Sequence, residues 1–79
     1  MAESDSDHEV DATGLKCPEP VMMLHAAIRR ALVGETVLLT ATDPSTQRDV
    51  ANFCEFLGHH LLESQADDGR FTYRVRKAG

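Results

Sequence analysis

Two cysteines are the residues of this 79-residue sequence best suited to chemistry, and Cys17 is the stronger candidate. It lies between Lys16 and Pro18, where a loop is expected to lead into a helix. Unpaired backbone N–H groups and the positive end of a helix dipole favour an anionic sulfur at such a position. Lys16 adds a positive charge beside the thiol, and Glu19 adds a negative one. We therefore predict that Cys17 is a nucleophile whose thiol pKa is lowered.

The residues around Cys17 restrict its backbone. Gly14 ends the preceding strand, and Pro18 suits the first position of a helix because that position needs no N–H donor. Pro20 restricts the next turn. An alternative is that Cys17 is a small buried apolar residue, as free cysteines often are. A core position flanked by Lys16 and two prolines is awkward to bury, which favours an exposed thiol.

The other candidate residues carry weaker signals. Cys54 falls beside Phe53 and Leu57 on the apolar stripe of a predicted helix, so we predict a buried structural role for it. No CxxC pair is present, and the four histidines show no ligand spacing around the cysteines. We therefore expect no metal site and no cofactor.

The hydrophobic pattern predicts six elements in the order βαβαββ. They are a strand over 10–13, a helix from Pro18 to Gly34, a strand over 35–42, a helix opened by Asp43-Pro44 and ended by Gly58, a strand over 60–66, and a strand over 71–76 after a turn at 67–69. The strand over 35–42 is apolar on both faces, so we expect it to be central. Right-handed crossovers then place both helices on one face. The predicted fold is α+β, a two-layer sandwich with a four-stranded mixed sheet.

Apolar periodicity also predicts the core. The expected buried positions are Val21, Leu24, Ile28, Ala31 and Leu32 on the first helix, Val50, Phe53, Cys54 and Leu57 on the second, and Val37, Leu39, Ala41, Phe71, Tyr73 and Val75 on the strands. A chain of this length has apolar residues for one core only, so we expect residues 9–79 to form one domain.

Composition excludes several functional classes. Thirteen acidic and eight basic residues leave a formal net charge of −5, which offers no general attraction to nucleic-acid phosphates. Residues 1–8 are acidic and polar, unlike a secretory signal, and we expect them to be a disordered tail. No apolar stretch approaches the length of a membrane span. We expect a cytoplasmic monomer that contacts neither membranes nor nucleic acid directly.

The sequence also resembles a known family. The segment GLKCPEPVMM at 14–23 is similar to the signature of the TusA/SirA-like sulfur carriers. Further similar segments are DP at 43–44, RD at 48–49, FCEF at 53–56 and YRVRK at 73–77, so the resemblance runs from about Glu9 to the C-terminus. The Cys-Pro-x-Pro positions show no departure from the family pattern.

The resemblance implies a two-layer βαβαββ fold and a role in sulfur relay. In such families a cysteine desulfurase places sulfane sulfur on the carrier's cysteine as a persulfide, here on Cys17. The carrier then passes the sulfur to an acceptor protein for tRNA thiolation, for maturation of molybdenum-cofactor enzymes or for sulfur oxidation. The residues support the same chemistry, since transfer needs an exposed thiolate that attacks a partner's persulfide.

Three residues are predicted to contact those partners. Met22 and Phe56 fall off the core stripes of their helices, and Asp43 opens the second helix near the end of the molecule that carries Cys17. The assignment of Phe56 rests partly on the resemblance. Single exposed apolar residues are common on protein surfaces, so the alternative that Met22 and Phe56 have no role remains.

Two rival functions remain. One is a regulatory or protein-interaction module whose cysteine is incidental, since no acid–base pair is apparent around Cys17. The other is a thiol redox enzyme, which the distance to Cys54 in sequence and its expected burial disfavour. We expect a carrier that serves enzymes as a cosubstrate, and the sequence leaves open whether it should be called an enzyme itself.

Overall fold

The computed structural model describes residues 7–78, and its elements follow the predicted order βαβαββ. They are β1 (His8–Ala12), α1 (Glu19–Arg30), β2 (Thr36–Ala41), α2 (Thr46–Leu57), β3 (His60–Asp67) and β4 (Arg70–Arg76). None of the helices in this part of the chain is long and apolar enough to cross a membrane.

The four strands form one mixed sheet in the order β1-β2-β4-β3. β1 pairs with β2 in parallel, whereas β4 pairs with β2 and with β3 in antiparallel fashion. β2 is therefore central, as its apolar composition predicts. A tight turn joins β3 to β4, with positive φ values at Asp68 and Gly69, and this confirms the hairpin predicted there.

Both helices cover one face of the sheet. The crossover from β1 through α1 to the parallel strand β2 explains the side that α1 occupies, and α2 packs beside it against β3 and β4. The buried residues come from both helices and from alternate strand positions: Ala12, Leu24, Ile28, Ala31, Val37, Leu39, Ala41, Val50, Phe53, Cys54, Phe71, Tyr73 and Val75. These positions confirm the predicted two-layer sandwich and most of the predicted core.

Two residues predicted to be buried are exposed because each lies at a helix end. α1 ends at Arg30, and Ala31 already has an extended backbone with ψ of 157°, so Leu32 departs from the helical phase and is 70% exposed. Leu57 is the last residue of α2 before Gly58, whose left-handed φ of 80° ends the helix as predicted. The side chain of Leu57 is 42% exposed.

Both helices begin later than the sequence predicts. Pro18 is the N-cap of α1 and not its first helical residue, while Pro20 lies in the first turn. α2 begins at Thr46 because the side chain of Asp43 accepts a hydrogen bond from the Ser45 N–H and holds residues 43–45 in a turn. Ser45 is therefore the N-cap of α2, and Asp43 lies before the helix and does not open it.

The N-terminal boundary also differs from the prediction, which places residue 8 in a disordered tail. His8 is the first residue of β1, and its Nε2 atom lies 2.9 Å from Glu35 Oε1. The Asp7 N–H donates to the carbonyl of Thr36. β1 therefore includes His8, and the part of the predicted tail over residues 1–6 lies outside the described residues.

The burial of Cys54 generates a stability prediction. Its side chain is only 3% exposed, and burial raises the pKa of its thiol to about 11. Cys54→Ser replaces it with a hydroxyl that has no assured partner in the core, so we expect a loss of about 1–3 kcal/mol in the free energy of unfolding. Urea unfolding measures this, with Glu55→Gln on the exposed side of α2 as the control. Equal stability of wild type and Cys54→Ser would contradict the structural role.

Candidate functional site

Cys17 lies in the turn between β1 and α1, with its side chain exposed. The peptide bond to Pro18 is cis. Beneath the turn Pro20 is buried in the core, while Lys16 and Glu19 are exposed on either side. Of the five predicted supporting residues, Pro20 is therefore buried, whereas Gly14, Lys16, Pro18 and Glu19 are exposed.

Gly14 attaches the start of this turn to the neighbouring strand. Its N–H donates to the Thr42 hydroxyl at 2.8 Å, immediately after β2 ends. Its φ of 81° is in the left-handed region, which side chains other than hydrogen disfavour. Gly14 therefore lets the chain reverse direction next to β2 before it reaches Cys17.

Asp43 holds the backbone of Cys17. Its Oδ2 atom accepts the Cys17 N–H at 2.7 Å, and its Oδ1 atom accepts the Ser45 N–H at 3.0 Å. These hydrogen bonds, with that from Cys17 the strongest, lower the pKa of the Asp43 carboxyl. One carboxylate thus joins the cysteine turn to the start of α2.

Asp43 is itself fixed by a buried polar pair. Thr46 donates both its hydroxyl, at 2.7 Å, and its backbone N–H to the carbonyl oxygen of Asp43. The Thr46 oxygen lies 2.7 Å from the Tyr73 hydroxyl, which must be the donor because the Thr46 proton is already engaged. Both side chains are 1% exposed. The position of Asp43 therefore depends on the core.

The thiol of Cys17 is directed toward a second carboxylate, Asp49. Cys17 Sγ donates to Asp49 Oδ2 at 3.0 Å, and the Arg48 Nε donates to Asp49 Oδ1 at 3.3 Å. The hydrogen bond to Asp49 raises the pKa of the Cys17 thiol above its usual range, and partial desolvation and the Asp49 charge add to the effect. The predicted lowering of this pKa is therefore wrong.

The charge of Lys16 is predicted to act on the Cys17 thiol, but in the structure it acts on Asp43. It helps to lower the pKa of Asp43, whereas the charges that act on the Cys17 thiol are those of Asp49 and Asp43. Although these two acids are neighbours of Cys17, residues 7–78 contain no group of three His, Cys, Asp or Glu side chains that could hold a metal ion.

A shallow groove between α1 and α2 opens beside the thiol. Its volume is about 360 Å³, and its lining residues are Cys17, Pro18, Val21, Asp49, Asn52 and Phe53. Sequence reasoning did not assign Asp49 as the partner of the thiol or identify the other groove walls. These residues come together only because α1 packs against α2, and a local sequence pattern does not indicate which residues of the two helices are close in space.

None of the three predicted partner-binding residues lines this groove itself. Asp43 contacts Cys17 directly. Met22, 62% exposed, lies on α1 and lines a second apolar groove, while Phe56, 87% exposed, lies on α2. The depression around Phe56 shares Asn52 with the Cys17 groove, so the two adjoin. Both helices therefore carry exposed apolar side chains, Met22 and Met23 on α1 and Phe56 and Leu57 on α2.

The fold and the site together define a small two-layer domain with one exposed and one buried cysteine among the described residues. A family model described as Sulfurtransferase TusA matches residues 8–77. The Sulfur carrier protein TusA of Pseudomonas putida (strain GB-1) is 53% identical over 77 residues, which cover 98% of this chain and 96% of that protein. The chain belongs to the TusA family of sulfur carrier proteins, as the Cys-Pro-x-Pro segment predicts.

Two further comparisons agree. The Sulfur carrier protein TusA of Pseudomonas syringae pv. syringae (strain B728a) is 55% identical over 71 residues, covering 90% of this chain and 84% of that protein. A crystal structure of a SirA-like protein from Desulfitobacterium hafniense superposes with a TM-score of 0.79 at 20% identity, covering 91% of this chain and 99% of the other. The second comparison confirms the fold.

The contact between Asp43 and Cys17 generates a prediction about local order. Asp43→Ala removes the acceptor of the Cys17 N–H, so we expect this amide to exchange with solvent about threefold to tenfold faster. Hydrogen exchange followed by NMR measures the rate, and Glu55→Ala is the control for removal of an exposed carboxylate. An unchanged rate at Cys17 in a folded Asp43→Ala variant would contradict the anchoring role.

Proposed function

We propose that Cys17 accepts sulfane sulfur from a cysteine desulfurase as a persulfide and passes it to an acceptor protein. The observation that supports this most directly is the exposed thiol of Cys17, held at its backbone by Asp43 in a chain that belongs to a sulfur carrier family. Cys54 is a poor alternative, because it is buried and its thiol pKa is raised to about 11.

The proposed chemistry is two successive thiol exchanges. The Cys17 thiol first loses its proton, and the resulting thiolate attacks the outer sulfur of the donor's persulfide. A bond forms between Cys17 Sγ and that sulfur while the donor's S–S bond breaks, and the electron pair of the broken bond leaves with the donor cysteine as a thiolate. An acceptor nucleophile then attacks the same outer sulfur, and Cys17 leaves as the thiolate. Neither exchange needs an added oxidant or reductant.

The geometry suits delivery between proteins. An S–S bond is about 2.05 Å long, so the carried sulfur extends little beyond Cys17 Sγ and each partner must cover the cysteine itself. The groove beside Cys17 is shallow and is bordered by polar and apolar side chains, which suits small, transient interfaces. Adaptable Met22 and aromatic Phe56 are suited to contact with more than one partner.

The same proposal extends to the wider pathway. We propose that the protein acts as a cytoplasmic monomer and that its sulfur reaches tRNA 2-thiouridine modification, molybdenum-cofactor enzyme maturation or related sulfur trafficking through protein acceptors. A formal net charge of −5 supports protein acceptors over direct contact with tRNA phosphates.

The first test is the loss of the proposed sulfur-accepting atom. Cys17→Ser should abolish sulfur loading from a cysteine desulfurase and cysteine, because it removes the nucleophile at an exposed position while the fold persists. Intact-mass spectrometry measures loading, and circular dichroism checks the fold. Cys54→Ser is the matched control and should still load.

Three outcomes are distinguishable in this experiment. Loading that persists in Cys17→Ser and disappears in folded Cys54→Ser would reverse the assignment of the cysteine. A wild type that gains no sulfur would favour a regulatory or interaction module, and a disulfide or sulfenate on Cys17 would favour a thiol redox enzyme.

The second test concerns the proposed docking surface. Met22→Ala, Asp43→Ala and Phe56→Ala should each weaken desulfurase binding, by roughly fivefold or more for the residues at the centre of the interface. Isothermal calorimetry measures the affinity and single-turnover loading measures transfer. Leu62→Ala, which removes an exposed apolar side chain on β3, is the control. If all three folded variants bind and load like the wild type, the docking surface lies elsewhere.

A further inference from the structure

We infer that Asp49 is a positioning residue that holds Cys17 as a protonated thiol in the free carrier and thereby restrains its reaction until a partner is engaged. The inference rests on the proposed function of Cys17 as the sulfur acceptor. It concerns a residue that does not itself receive sulfur and that acts only through the thiol.

The geometry of the contact carries the inference. Cys17 Sγ lies 3.0 Å from Asp49 Oδ2, and an ionised carboxylate only accepts hydrogen bonds, so the sulfur must supply the proton. Loss of that proton would leave a thiolate facing a carboxylate at the same distance. The Arg48 Nε holds the other carboxylate oxygen, and Asp49 is only 20% exposed although Arg48 is 73% exposed. The acceptor is therefore held in place.

The other groups near the thiol do not reverse this arrangement. Asp43 adds a second negative charge, and only the Ser45 hydroxyl, which is a weaker influence than the Asp49 contact, favours the thiolate. Lys16, in the same turn, acts on Asp43, and Arg48 pairs with Asp49. Glu19, at the start of α1, is a further negative side chain in the same segment. The local charge therefore favours the neutral thiol.

The consequence is protection of an exposed cysteine. The thiolate, not the thiol, reacts with oxidants and disulfides, so a thiol bonded to Asp49 reacts slowly with adventitious partners. Loading requires that the proton leave to solvent or to a base on the donor before Cys17 attacks. A donor that places a Lys or Arg side chain against Asp49 would weaken the restraint in the complex and leave it intact in the free carrier.

The test is the pH profile of Cys17 alkylation by iodoacetamide, a neutral reagent that needs no sulfur donor. Asp49→Asn should move the midpoint of the profile to lower pH. For each unit of that shift the thiolate fraction at neutral pH rises about tenfold and its intrinsic nucleophilicity falls about threefold, so the rate rises about threefold. Above both midpoints the variant should react more slowly than the wild type, so the two profiles cross.

The control variant is Glu55→Gln, which removes an exposed carboxylate from the same helix and should leave the midpoint unchanged. Mass spectrometry of peptides confirms that the label is on Cys17. A structural role alone would change the rate at all pH values without moving the midpoint. An unchanged or raised midpoint in Asp49→Asn overturns the inference. If Asp49→Asn does not fold, Asp49→Ala is measured in its place, and the same lowered midpoint is expected.

Sulfur loading of the same variants separates this inference from the proposed function. If the wild type takes no sulfur from the desulfurase but the midpoint falls in Asp49→Asn, the proposed function fails and the control of the thiol by Asp49 stands. If the wild type loads at Cys17 but the midpoint does not fall, the inference about Asp49 fails alone.

Discussion

The hydrogen bond from the Cys17 N–H to Asp43 is the contact on which the rest of the site depends. At 2.7 Å it joins the turn before α1 to the turn before α2, and the hydrogen bond from Gly14 to Thr42 connects the same two segments. Asp43 is in turn held through its carbonyl by Thr46, and Thr46 by Tyr73 in β4. A buried tyrosine thus fixes the position of an exposed cysteine through two intermediate residues. The packing of the core therefore helps to determine the geometry of the site in this small domain.

The electrostatics of the site oppose the reactivity that its sequence suggests. A cysteine before a helix is expected to gain from the helix dipole, yet the Cys17 thiol is directed across to Asp49 on the other helix. A hydrogen bond from the thiol to a carboxylate stabilises the protonated form, and this effect raises the thiol pKa. This arrangement suits a carrier, because its cysteine must be exposed to its partners and must not react with oxidants or other disulfides before it meets one.

How far the sequence predicts the structure depends on the range of the interaction. Alternation in β2 and β4 and the helical spacing of Leu24, Ile28 and Val50 are local patterns, and they predicted the element order, the central strand and most of the core. The predicted burial of Leu32 and Leu57 was wrong because a periodic pattern does not indicate where a helix ends. The Cys-Pro-x-Pro segment identified the family because its residues are adjacent in sequence.

The features that sequence reasoning missed arise between elements. Asp49 lies 32 residues from Cys17, and its contact with the thiol exists only because α1 and α2 pack side by side on the sheet. The direction of the Cys17 pKa shift followed from that contact and could not be inferred from Lys16 or from the helix start. Phase along α1 and α2 did predict the exposure of Met22 and Phe56, because it depends only on the helical repeat.

If Cys17 carries the transferred sulfur, peptide mapping of the loaded wild-type protein should locate the sulfur on this residue. The protein would be incubated with a cysteine desulfurase and isotopically labelled cysteine, separated from the donor, alkylated, digested and analysed by mass spectrometry. We expect one labelled sulfur on the peptide that contains Cys17 and none on the peptide that contains Cys54. Label on the Cys54 peptide, or on neither peptide, would show that Cys17 is not the sulfur acceptor.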